Sequence, residues 1–275
     1  MKKFKVGLQL YSVRNEMEKD FYGTLKAVKE AGYDYVEFAG YYGKTAEEVK
    51  AILDELGLEC CSVHQGPDLF LEKGQEAVDF LKVIGAKYSA IPWYGVENYL
   101  DGNFDATIEK FRKVGELLAA NGIQLTYHNH DFEFRYLDGE FILDRIYGAL
   151  PGLIQGEVDT CWVKYAGVDP VAFLDKYCGK MKTLHLKDFV CKKLASGPVY
   201  ALIDDSGKAS DGGSKEDNGF NFRPLGMGMQ DFPAILEAAD RGGIEYIIVE
   251  QDESKDMPAL EAARKSREYL RTLGQ

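Results

Sequence analysis

The stretch Phe104–His130, FDATIEKFRKVGELLAANGIQLTYHNH, contains one full unit of the pattern that decides the fold. Phe104–Ala120 reads as a helix. Asn121-Gly122 follows, where a left-handed cap is wanted. Ile123–His130 then reads as a strand that ends in polar, histidine-bearing sequence.

The same unit recurs in both directions along the chain. Strands are expected at Lys5–Leu10, Tyr33–Phe38, Leu58–His64, Tyr88–Pro92, Ile123–His130, Leu153–Asp159, Met181–Lys187 and Tyr246–Glu250. Helices are expected between and after them, at Asp20–Ala31, Thr45–Leu56, Glu72–Ile84, Phe104–Ala120, Gly139–Leu150, Pro170–Tyr177, Asp231–Arg241 and Met257–Leu273. Thr45 and Glu48 form a capping box. Such alternation implies a parallel sheet, and eight units point to a closed (β/α)8 barrel. No Gly-x-Gly-x-x-Gly follows the first strand, which removes the main support for a dinucleotide fold. The 275 residues suit one TIM-barrel domain over 1–275, with no long linker to divide it. Phe189–Met229 breaks the rhythm. It is long, rich in Gly, Ser, Asp and Lys, follows the seventh strand, and is expected to cover the mouth.

A net charge of −12 offers no counterion-release affinity for nucleic acid. No apolar run approaches the ~20 residues of a membrane span. The basic start is too short in apolar residues for a signal peptide. Five cysteines, Cys60, Cys61, Cys161, Cys178 and Cys191, show no metal-ligand spacing, so a reduced, cytoplasmic setting is expected. Neither nucleic acid nor a membrane is an expected partner; a homo-oligomer stays open.

All four histidines, His64, His128, His130 and His185, fall at or near the C-terminal ends of expected strands, where barrel active sites lie. Residues two apart in a strand share a face, which pairs His128 with His130, Glu157 with Asp159 and His185 with Lys187. Charged groups gathered there are costly to bury unless paired, wet or bound to metal. The preferred metal set is Glu133, Asp159, His185 and Glu250. Steps of 26 residues separate 133, 159 and 185, close to one βα unit each. His128, on the strand itself, is the alternative first ligand, and Glu157 is expected to lie deeper. Oxygen-rich donors of this kind suit one divalent ion, Mn2+, Mg2+ or Co2+, with Zn2+ as a further option.

At these residues the chain resembles the xylose-isomerase-like barrel superfamily, in its sugar phosphate isomerase/epimerase branch. The resemblance rests on Gly7–Arg14, Tyr127–Phe134, Glu157–Thr160, His185–Asp188, Gly226–Phe232 and Val249-Glu250, so it covers essentially the whole chain. It implies a (β/α)8 barrel with one divalent metal held by Glu, Asp, His and Glu, matching Asp159, His185 and Glu250. Strand five departs from it, with His128-Asn129 where many epimerases show Glu-Asn. Members with Tyr-His-Asn-His also resemble inosose dehydratases and enzymes acting on 3-keto sugars. The DNA-repair branch with three zincs uses additional histidines that this chain lacks.

The expected activity is a metal-dependent sugar isomerase or epimerase working through an enediolate. A keto-sugar or inosose dehydratase shares the enolate step and is the alternative. A sugar-binding barrel without catalysis is a third reading, from another class. His130 and Glu250 are the candidate bases, and Lys187 would hold or polarise a substrate oxygen. Gln9, Glu37, His64, Trp93 and His128 would surround the substrate. With no Gly-rich phosphate loop, an unphosphorylated substrate is expected.

Overall fold

The structure is a computed structural model that describes residues 2–194 and 218–275. Eight parallel strands close into a barrel: β1 (Lys5–Gln9), β2 (Tyr35–Phe38), β3 (Glu59–His64), β4 (Tyr88–Ile91), β5 (Gln124–His128), β6 (Ile154–Asp159), β7 (Met181–Leu186) and β8 (Tyr246–Val249). Each pairs with its neighbours in sequence, and β8 returns to β1. Every strand therefore starts at one end of the barrel and finishes at the other, so all eight tips converge on one mouth.

The helices pack outside because each has one apolar face. Phe104–Ala120 buries Phe104, Ile108, Phe111, Val114 and Leu118. Its Gly115 sits where an added Cβ would lie 2.7 Å from Leu153 Cγ, so only glycine permits that approach to the start of β6. The expected capping box at Thr45 and Glu48 is formed. The helix expected at Glu72–Ile84 is two helices, Pro67–Lys73 and Gln75–Ile84, divided at Gly74.

Two short helices that the alternation does not announce are Arg14–Lys19, which follows β1 after a 3-10 turn at Leu10–Val13, and Thr160–Tyr165, which follows β6 directly. After β7, Asp188–Val190 pairs antiparallel with Asn221–Arg223. The middle of the expected cover, 195–217, lies outside the described residues. Among the described residues no helix is long and apolar enough to cross a membrane. All five cysteines are free thiols.

Candidate active site at the barrel mouth

Strand β6 ends at Asp159, which is also the N-cap of the helix Thr160–Tyr165. Its Oδ1 accepts from Cys161 N at 2.8 Å and Trp162 N at 3.4 Å, so one carboxylate oxygen is spent on the cap and Oδ2 is turned to the mouth. Asn129, just past β5, fixes this tip. Its Oδ1 accepts from Asp159 N at 2.9 Å. The Asn of the Tyr-His-Asn-His run is thus a clamp between two strand ends, a role that sequence reasoning missed.

Three donor atoms, from His128, His185 and Glu250, gather around Asp159 Oδ2. His128 Nε2 lies 3.3 Å from Asp159 Oδ2 and 3.6 Å from Glu250 Oε2. His185 Nδ1 lies 2.9 Å from Glu250 Oε2. One ligand atom from each of His128, Asp159, His185 and Glu250 falls within 4.8 Å of the rest, so the set can hold a metal ion. The Lys187 ammonium stands beside it, 3.1 Å from Asp159 Oδ2 and 2.9 Å from Glu250 Oε2, and 2.9 Å from Asp252 Oδ1.

Glu133 is placed elsewhere, which corrects the preferred first ligand. A 3-10 turn at Phe132–Phe134 carries it away from the mouth. Its Oε1 accepts from Tyr127 OH and its Oε2 from His130 N, both at 2.8 Å. It is fully buried, and none of the metal-competent groups among the described residues includes it. His128, the alternative, is the strand-five member of the set.

A second layer lies under the first. Glu37 Oε2 is 2.7 Å from His185 Nε2 and 3.2 Å from His64 Nε2. Glu157 Oε2 is 3.1 Å from the same His64 nitrogen. Gln9 Nε2 donates to Glu37 Oε2 at 2.7 Å. Gln9 and Glu37 were expected to line the substrate pocket; both are wholly buried and belong to this lower layer instead.

Charge sorts these groups by environment. Burial opposes ionisation of Asp159 and Glu250, but Lys187 beside them outweighs it, and the Glu250 carboxyl is held well below its ordinary range. Burial likewise opposes the charge on Lys187, yet Asp159, Asp252 and Glu250 raise it well above the usual value, so it stays an ammonium. Burial takes His128 down to about 4, despite its bond to Asp159, which leaves a neutral imidazole suited to ligation. Beneath, burial is outweighed at Glu37 by His64 and His185, which lower it to about 2.

Above the donors opens a cavity of about 460 Å3 lined by Tyr11, Ala39, His64, Pro92, Trp93, His128, His130, Lys187, Glu250 and Asp252. A second, of about 300 Å3, shares Trp93, His130 and Asp252 with it and adds Trp162, Phe220, Asn221, Phe222, Glu253 and Lys255. The His130 ring is 4.6 Å from Trp93, 5.1 Å from His128 and stacked 5.6 Å from Trp162. Trp93 is 55% exposed, an apolar surface open to the cavity. Asp252 and Trp162 were missed from the sequence. Asp252 stands two residues past Glu250, a period-two signal that runs beyond the end of β8.

The Gly226–Gln230 run serves a different purpose. The Asp188 carboxylate accepts from Gly226 N at 3.0 Å, Gly228 N at 2.9 Å, Gln230 N at 3.2 Å and Phe189 N at 2.9 Å. The run folds around one buried carboxylate and anchors the far end of the excursion that follows β7.

The inosose dehydratase of Clostridium beijerinckii is 25% identical to this chain, over 92% of the chain and 90% of that protein. A sugar phosphate isomerase/epimerase from Parabacteroides distasonis superposes with a TM-score of 0.75 at 24% identity, covering 98% of this chain and 94% of its own. The IOLI protein with a binding zinc atom superposes with a TM-score of 0.67 at 11% identity, covering 98% and 97%. The model of the xylose isomerase-like TIM barrel family matches residues 25–273. The chain belongs to that family.

Proposed function

We propose that this chain is a divalent-metal-dependent lyase that removes water from an unphosphorylated keto-sugar or keto-cyclitol. The observation that carries the reading is the set of His128, Asp159, His185 and Glu250 at the floor of a cavity walled by His130, Lys187 and Trp93. Two imidazoles and two carboxylates with contacts of 2.9–3.6 Å match the edges of a metal polyhedron, about 3.4 Å for metal–ligand bonds near 2.1 Å. Once bound, the ion would supply Lewis acidity next to the substrate carbonyl.

The chain's own groups do the rest. His130 takes the proton from the carbon beside the carbonyl. The same imidazolium then gives that proton to the departing hydroxyl, so water leaves and the ring is reset. Lys187, held as an ammonium, donates to the oxygen on which negative charge builds. Trp93 offers a face for the apolar side of the ring. Glu250, expected as a base, binds protons too weakly for that work beside Lys187 and serves as a ligand.

Elimination needs a base on one side of the carbon, whereas epimerisation needs proton delivery to both. Lys187 and Glu250 are poor acceptors, which favours elimination. The inosose dehydratases among the relatives point the same way. A second reading, isomerase or epimerase, draws on Asp252, which lines both cavities and could act as a second acid–base group.

Mass analysis of the product tests the proposal. Metal-loaded protein given a keto-cyclitol should form a product lighter by one water. His130→Asn should keep its metal and lose about two to four orders of magnitude in turnover. An isomer of unchanged mass refutes the lyase reading, and undiminished turnover in His130→Asn refutes His130 as its base.

A further inference from the structure

The mouth set leaves the lower layer unexplained. Glu37, His64, Glu157 and His185 each place one ligand atom within 4.8 Å of the others, and this group shares only His185 with the set above. Glu37 and Glu157 are fully buried, and the second oxygen of each, Oε1, has no hydrogen-bond partner. Protons do not account well for the contacts. His64 Nε2 carries one proton at most, yet it faces Glu37 Oε2 at 3.2 Å and Glu157 Oε2 at 3.1 Å. Glu37 Oε2 also collects Gln9 and His185, while its Oε1 makes no well-formed hydrogen bond and the Ser62 hydroxyl is the carboxylate's nearby polar neighbour.

The strands are built to bring these groups together. Against β2, β3 carries one extra residue, Cys61, so that Glu37 pairs with Ser62. Against β6, β7 carries one extra residue, Lys182, so that Glu157 pairs with Thr183. Each irregularity lies just below a histidine, and a one-residue slip in a strand reverses the face of everything after it. The extra residues therefore aim His64 and His185 at the two carboxylates.

We propose that the layer beneath the cavity floor holds a second divalent cation, of the size and geometry of Zn2+, between Glu37, His64, Glu157 and Nε2 of His185. The contacts in this group, 2.7, 3.1, 3.2 and 3.8 Å, average near the edge of about 3.4 Å expected for a tetrahedron of nitrogen and oxygen donors. Two imidazoles with two carboxylates suit Zn2+ or Co2+. His185 presents Nδ1 to the upper set and Nε2 to the lower one, so with both positions filled it would bridge them as an imidazolate, its ring proton released to solvent. The lower site shares only His185 with the upper one and uses a different nitrogen of that ring, so it does not require the upper ion.

Zinc titration of the metal-stripped full chain, with anomalous diffraction at the zinc edge, tests this. Two ions per chain are expected at saturation, with one anomalous peak between Glu37, His64 and Glu157. Glu157→Gln and His64→Asn should each bind one ion, at the mouth. Asp159→Asn should lose the mouth ion and keep the lower one, which separates failure of the proposed function from failure of this site. If either lower-layer variant does not fold, the wild-type anomalous map decides. One ion per chain at saturating zinc, with no peak in the lower layer, overturns the proposal and makes the layer a hydrogen-bonded support for His185.

Discussion

Individual side chains in this barrel carry separable jobs, and Glu133 shows it best. Burial pushes its carboxyl up to about 8, against the bonds from Tyr127 and His130 that favour the ion. The folded state therefore keeps a proton that the unfolded chain, near the ordinary value of 4.5, gives up. The stabilisation is whole below that value and is lost as pH climbs through about 8, by up to about 1.4 kcal/mol per pH unit. Glu133→Gln should remove this slope. Urea unfolding at acid and at mildly alkaline pH should show the variant gaining on the wild type as pH rises; a constant difference contradicts a protonated Glu133. The residue was misjudged from sequence because spacing counts residues and ignores direction. Position 133 is one βα unit before Asp159, but the 3-10 turn sends its side chain to Tyr127. His128 was legible by strand parity, since it shares a face with the barrel interior.

At the scale of elements, strand tips place the chemistry and short turns lock it. The eight strands were readable to within one or two residues because glycine and helix caps mark their borders. The helix after β6 was not readable: six residues, Thr160–Tyr165, are too few to show a period, and only the Asp159 cap announces it. The segment after β7 depends on Asp188 holding three backbone N–H groups from the 226–230 run. Asp188→Ala should cost about 2–4 kcal/mol, as expected when charge-assisted bonds to buried N–H groups are lost. Limited proteolysis should then cut within 218–230 well before the barrel unfolds. Simultaneous loss of the whole fold, or unchanged resistance, contradicts an anchoring role. Gly228→Ala tests the same cradle, since an added Cβ would collide with the Asp188 carboxylate and Phe189 O.

The whole molecule behaves as one closed ring whose mouth gathers charge from β5, β6, β7 and β8. The ring was legible because strand and helix alternate eight times; the vertical order of side chains within it was not, because the extra residues Cys61 and Lys182 are invisible without the pairing partner. An ion joining four strands should stiffen the ring as a unit. At a hundred times its Kd, bound metal contributes about 2.7 kcal/mol, which for a chain of this size raises Tm by about 5–10 °C. Asp159→Asn should erase that rise when Mn2+ is the probe. The Mn2+ affinity of His128→Asn, measured by calorimetry beside Glu133→Gln, decides which residue of strand five binds the ion. His128→Asn should lose more than about a hundredfold in affinity, beyond the range seen when only a supporting residue is removed, and Glu133→Gln should change by no more than about a few-fold. Tight Mn2+ binding retained by His128→Asn and lost in Glu133→Gln would contradict ligation by His128.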